Sequence, residues 1–204
     1  NDAPTVTAPT SFTVTEDVAS NLVYTGTPFA DVDSTNLTVT LSISEGTITG
    51  NAGTGITVGG TATARTFTGT VTNLNTYFTT SGKITYTTAS NNNTSRTLTT
   101  TVSDGVASDV TTTSTINITA VNDAPTLTSS APSSISVNED SAPDTAVTLG
   151  LSSLTYSAGA SNESAQTLTY MITSIPSTIT LWKSDGTTQV YASDTVTLTE
   201  LQGL

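Results

Sequence analysis

The sequence predicts an all-β protein made of two tandem β-sandwiches, and three observations predict it. Threonine supplies 51 of the 204 residues. It is β-branched and stiff at χ1, so it favours strands over helices, and its hydroxyl suits the solvent face of a sheet. Short alternating polar and apolar runs recur between turn signals, with no sustained helical period. Finally, the stretch Asn-Asp-Ala-Pro-Thr occurs at Asn1–Thr5 and again at Asn122–Thr126, the copies beginning 121 residues apart. That spacing suits one sandwich per copy, giving units at 1–121 and 122–204.

The elements of the first unit follow from these patterns. Phe12-Thr-Val-Thr15 alternates until Glu16-Asp17 interrupts it, and Leu22-Val-Tyr24 is a second short strand. After Phe29-Ala-Asp-Val-Asp33 comes the long alternating run Leu37–Ile43, which Glu45-Gly46 turns into Thr47-Ile-Thr49. The segment from Gly50 to Gly60 reads as a flexible hairpin tip; no helix pattern and no phosphate-binding lysine follows it, so it is not a nucleotide loop. Thr66–Val71 is a strand. In Asn73–Phe78 the apolar residues Leu74 and Phe78 stand four apart, on one face of a helical turn. Ile84–Tyr86, Leu98–Val102 and Ile116–Ile118 complete the unit.

The second unit repeats the plan with changes. Ser134–Val137 is strand-like, and Val137-Asn-Glu-Asp140 answers Val14-Thr-Glu-Asp17. Leu168–Ile172 answers the Leu37 strand, and Lys183-Ser-Asp-Gly186 carries the Asp-Gly of a tight hairpin. Leu198-Thr-Glu-Leu201 answers Val71-Thr-Asn-Leu74. By this internal alignment the second sandwich lacks its last strands within the chain, to be completed by further chain or by a partner. Trp182, the sole tryptophan, could stack on a sugar, but a strand-end position in the core is the leading expectation.

Composition narrows the function. Hydrophobic residues make up 34% and aromatics 5%, which predicts a thin core of Val, Ile and Leu. The net charge is −12, with Arg65, Lys83, Arg96 and Lys183 the only basic residues. Nothing there neutralises phosphates, so nucleic acid and anionic membrane surfaces are excluded as partners. There is no Cys and no His, which removes disulfides, thiolate chemistry and the commonest base. No apolar run reaches the roughly 20 residues that span a bilayer, so no membrane insertion is expected. With no serine elbow either, and acidic residues placed at turns, an enzyme is not expected.

A cation is the natural complement of this charge. The notable carboxylates of the first unit are Asp2, Glu16, Asp17, Asp31, Asp33 and Asp104. Calcium takes six to eight oxygens, and Asp31-Val-Asp33 can offer two carboxylates from one bent loop. It is not an EF-hand, because the third acidic position and its glycine are missing, so further ligands must come from distant segments. Asp104-Gly105 is also a good turn without any metal. Asp109, Asp144, Glu200 and Glu45 read as surface charge, and Asp185 and Asp194 as turn residues.

Ala-Val-Asn-Asp-Ala-Pro at 120–125, Glu-Asp after the first strand, Asp-Val-Asp, and Val-Ser-Asp-Gly before the last strand together resemble the bacterial cadherin-like tandem repeats of large secreted adhesins of the RTX and VCBS-containing type. The resemblance implies Ig-like, cadherin-like Greek-key sandwiches with calcium between consecutive domains. It implies that Asn1, Asp2, the Ala3 carbonyl, Asp31, Asp33 and Asp104 gather at the leading end of the first unit. It also implies that Glu16 and Asp17 face Asn122, Asp123 and the Ala124 carbonyl at the central joint. The acidic triplet of animal cadherins has no counterpart in the first unit. The second unit has Ser161-Asn-Glu-Ser164 in place of Asp-x-Asp, with Glu163 as the substitute ligand.

Two functions are thereby expected. One is a calcium-rigidified extender of an extracellular or cell-surface adhesin, supporting adhesion and biofilm, whose partners are the neighbouring repeat domains of its own chain. The other is a split domain that flanks or forms a module binding a glycan or a host or cell-surface protein.

Overall fold

The computed structural model describes residues 1–130, 132, 134 and 147–204 and is all-β, with few helices. The chain divides into two compact units, Asn1–Val121 and Asn122–Leu204.

The first unit holds β1 (Thr5–Val6), β2 (Ser11–Thr15), β3 (Ser20–Asn21), β4 (Phe29–Ala30), β5 (Asn36–Ser42), β6 (Thr47–Gly50), β7 (Ile56–Gly60), β8 (Ala64–Thr70), α1 (Val71–Thr79), β9 (Ile84–Thr87), β10 (Arg96–Ser103) and β11 (Val110–Thr119). A six-stranded sheet runs in the order β2-β11-β10-β5-β8-β7, and a three-stranded sheet in the order β3-β9-β6. β2 pairs parallel to β11, whereas the other pairs are antiparallel. β1 and β4 form a separate antiparallel pair. The arrangement is consistent with a β-sandwich.

The period-two pattern sets what each strand buries. Along β5, Leu37, Val39 and Leu41 point into the core while Thr38, Thr40 and Ser42 point away. Its neighbour β10 obeys the same alternation, with Leu98, Thr100 and Val102 inside. A slip of one residue would send Thr inward and Leu into water, so the register is firmly specified. Each such aliphatic burial is worth about 1.5–3 kcal/mol.

The core is more aromatic than the composition suggests. Phe12, Phe29, Phe67 and Phe78, which are all the phenylalanines of the chain, are buried here together with Tyr24, Tyr77 and Tyr86. α1 explains their meeting. Thr70 caps its start, the hydroxyl accepting from the Asn73 amide at 3.2 Å. Leu74, Tyr77 and Phe78 form its buried face. The Phe78 ring stands edge-on to Tyr24, Phe29 and Phe67 at 5.1, 4.8 and 5.2 Å.

The glycine-rich segment is not a floppy tip. Its second half is β7, paired along β8 from Ile56 to Gly60. Gly53 lets this segment pass under the Tyr77 ring, because a Cβ there would sit 2.5 Å from the ring edge.

The second unit is built of shorter pieces: β12 (Thr126–Leu127), β13 (Tyr156–Ser157), β14 (Tyr170–Met171), β15 (Leu181–Trp182), β16 (Gln189–Val190), β17 (Thr195–Val196) and α2 (Leu198–Gln202), with a 3-10 turn at Ser161–Glu163. Among the described residues they pair as three two-stranded sheets over a small core of Leu154, Val190, Val196, Leu201 and Leu204. Of the strand expected over Leu168–Ile172, only Tyr170–Met171 pairs, with β17. The Asp-Gly hairpin joins β15 to β16, and Asp185 accepts from the Thr187 and Thr188 amides. Trp182 is 40% exposed, against the expected core position. Leu198–Gln202 is a helix capped by Thr197, as Val71–Thr79 is capped by Thr70. Val137–Asp140, Asp144 and most of the Ser134–Val137 run lie outside the described residues.

Glu45 and Glu200 are more than solvated charge. Glu45 pairs with Arg96 and accepts from Asn92, and Glu200 pairs with Lys183 at 2.7 Å.

Candidate metal site

Two loops of the first unit bring three aspartates together. Asp31 and Asp33 follow β4, and Asp104 follows β10. Asp31 and Asp104 each bend their own loop. Asp31 Oδ1 accepts from the Asp33 and Ser34 amides at 3.0 and 2.7 Å. Asp104 Oδ1 accepts from the Val106 and Ala107 amides, both at 2.9 Å, and Gly105 supplies the left-handed residue at φ 82°. Such side-chain turns are what Asp does well at a strand end. Val32 and Val106 point into solvent, so neither loop is shaped by apolar packing.

One oxygen of each of Asp31, Asp33 and Asp104 lies within 4.8 Å of the others. Three negative charges at that separation repel one another. The Asp33 oxygens are partly answered by the leading segment: Asn1 Nδ2 donates to Oδ1 at 2.7 Å and the Asp2 amide to Oδ2 at 3.0 Å. The Asp2 amide is the main reason the Asp33 carboxyl lies below the usual carboxylate range. Asp104 is also lowered, chiefly by the Val106 amide and with a contribution from the Asn1 side chain.

The remaining oxygens decide what the cluster can do. Asp31 Oδ2 and Asp104 Oδ2 are buried and have no hydrogen-bond partner among the described residues. A buried anionic oxygen without a donor is costly. Both lie on carboxylates that converge with Asp33, so a hard divalent cation fits this donor set. Asn1 and Asp2 are part of the cluster through Asp33, while Ala3 is exposed beside them.

Glu16 and Asp17 are bonded to other segments of the first unit. Glu16 is fully buried; its amide donates to the Thr119 carbonyl and its Oε2 accepts from the Val121 amide at 3.0 Å. Asp17, at φ 57°, accepts from the Asn91 amide and donates its own amide to Thr88 Oγ1. Asn122, Asp123, Ala124 and Glu163 belong to the second unit. There, the Asp123 amide donates to Glu163 Oε1 at 2.8 Å, and Gln166 Nε2 donates to Asn122 Oδ1 at 2.9 Å. Ala124 is exposed. Glu16 and Asp17 thus belong to the first unit, and Asn122, Asp123 and Ala124, which they are expected to face, to the second.

Several supporting residues carry no signal in the sequence. Thr88 and Asn91 around Asp17, and Gln166 around Glu163, are ordinary loop residues until the fold brings them in. Compared with models of protein families and with curated proteins, the chain matches none.

Proposed function

We propose that this chain is a calcium-stiffened, non-catalytic structural segment of a secreted or cell-surface bacterial adhesin, built of cadherin-like sandwich units. The observation that carries the reading is the Asp31, Asp33 and Asp104 cluster, with two buried carboxylate oxygens that lack donors. A calcium ion held there would join the strand-end loops of Asp31 and Asp104 to the segment carrying Asn1 and Asp2. Asn1, whose side chain already reaches Asp33, and the exposed Ala3 would extend the oxygen set. Without the ion the carboxylates repel, and Asn1 and Asp2 are held by hydrogen bonds to those same carboxylates. With it, bending at that end strains ion–oxygen bonds, and the unit transmits force as a stiff rod.

Titration calorimetry of the metal-free chain with calcium tests the proposal, together with X-ray scattering in calcium and in chelator. Calcium uptake lost in an Asp31→Asn/Asp104→Asn variant supports it. Absence of heat, with superimposable scattering curves in both buffers, rules it out.

A further inference from the structure

We infer that the second unit secures its own leading segment with a metal-free clasp centred on Glu163, so that calcium is needed at the head of the first unit and not at Glu163. The clasp stands on its own evidence; only the contrast with the first unit rests on the reading proposed above.

The two heads use the same backbone contact. In the first, the amide of the motif's aspartate, Asp2, donates to the Asp33 carboxylate. In the second, the amide of Asp123 donates to the Glu163 carboxylate. The two carboxylates then differ in what surrounds them. Asp33 is exposed and belongs to a cluster of three aspartates, two of which keep a buried oxygen without a donor. Glu163 is 6% exposed, and both of its oxygens are already used. Oε1 accepts from the Asp123 amide at 2.8 Å and lies 3.4 Å from Gln166 Nε2; Oε2 accepts from the Ala160 amide at 3.3 Å. Bonds from amides to an ionised carboxylate are the strong kind, and they offset the desolvation of a buried charge.

The pocket is shaped for that carboxylate. Gly159 has φ 147°, and a Cβ on it would overlap Glu163 Oε2 and meet the Asp123 Cβ at 3.1 Å. A glycine therefore lets the glutamate slide between its own 3-10 turn and the leading segment. Gln166 extends the contact by donating to Asn122 as well. A metal ion at Glu163 would have to displace amide donors that are already in place, whereas at Asp31 and Asp104 it would fill an existing deficit.

Amide hydrogen exchange of the full chain, in chelator and in saturating calcium, tests this. The Asp123 and Ala160 amides are expected to be equally protected in both buffers. In Glu163→Gln the new amide group presents donors to donors. The backbone amide that faces the new NH2, Asp123 or Ala160, should then exchange at least about tenfold faster, in both buffers, while the number of calcium ions bound stays unchanged. Protection of Asp123 that appears only with calcium, or loss of a bound calcium in Glu163→Gln, overturns the clasp. The wild-type comparison decides the matter even if the variant fails to fold. If the wild-type chain binds no calcium yet keeps Asp123 protected, the clasp stands and the calcium reading of the first unit falls.

Discussion

The Asp123 amide donates to Glu163 Oε1 at 2.8 Å across forty positions of sequence. It gives the repeated Asn-Asp-Ala-Pro motif a physical meaning, because Asp2 makes the corresponding bond to Asp33 at 3.0 Å. In both units the motif offers a backbone donor to a carboxylate from a later loop. What varies is whether that carboxylate is satisfied by protein alone.

Gly159→Ala should destabilise the second unit by about 1–3 kcal/mol, because the added methyl meets the Glu163 carboxylate and the backbone must leave a positive φ. Denaturant melts of the full chain should show the second unit's transition at lower denaturant and the first unit's unchanged. An unchanged second transition would mean that Glu163 relocates without loss.

Replacing Asp31 and Asp104 by Asn keeps the turns, since an amide oxygen can still accept from Asp33, Ser34, Val106 and Ala107. It removes two of the three clustered charges. Wild-type protein should gain about 2.7 kcal/mol at a calcium concentration a hundredfold above Kd, and the double variant should gain nothing. In chelator the variant should be no less stable than wild type, because the repulsion is gone. Thermal melts in the two buffers measure both effects.

The acid limb of the second unit should depend on Glu200. Its carboxyl, ordinarily at 4.5, is held down to about 2, first by the hydrogen bond from Lys183 and then by the Thr197 amide and hydroxyl. A carboxyl lowered on folding stabilises the fold above its ordinary value, and that contribution is lost as pH falls from about 4.5 through about 2. Lys183 is raised by the same partner, so its share is present below 10.5 and lost at higher pH. Glu200→Gln, which retains an oxygen for the cap, should flatten stability against pH in the acid window. Melts between pH 5 and pH 2 that track wild type would show that the pair is too solvated to matter.

Strand content was legible in the sequence because the alternation of β5 and β10 is regular and Thr fills their outer positions. The Leu74 and Phe78 spacing announced α1, though not its full length, which the Thr70 cap and the aromatic pocket supply. Gly50–Gly60 misled because glycine reads as flexibility, whereas here its missing Cβ makes room for the Tyr77 and Phe67 rings beside paired strands. Asp31, Asp33 and Asp104 could be named from their turn motifs. Their mutual distance could not, since it depends on β4 and β10 ending at the same side of the unit. Trp182 was misplaced because size suggests burial, and a two-residue strand at a hairpin has little core to offer.

Thr100 shows how a polar residue at an inward position is tolerated, and it yields the last prediction. It sits on β10 between Leu98 and Val102 and is wholly buried, as is Tyr24. Their hydroxyls share a hydrogen bond of 2.7 Å. Burial pushes the Tyr24 phenol well above its ordinary value near 10. Tyr24→Phe should therefore cost about 1–3 kcal/mol by leaving the Thr100 hydroxyl without its partner. Tyr24→Phe/Thr100→Val should recover most of that loss, since both polar groups leave together. The raised phenol stabilises the fold below pH 10 and loses that share as pH rises further, so Tyr24→Phe should also soften the alkaline limb. Denaturant melts at neutral and alkaline pH would measure the three variants. A double variant no more stable than the single one would show that the loss comes from altered packing of the aromatic cluster and not from the orphaned hydroxyl.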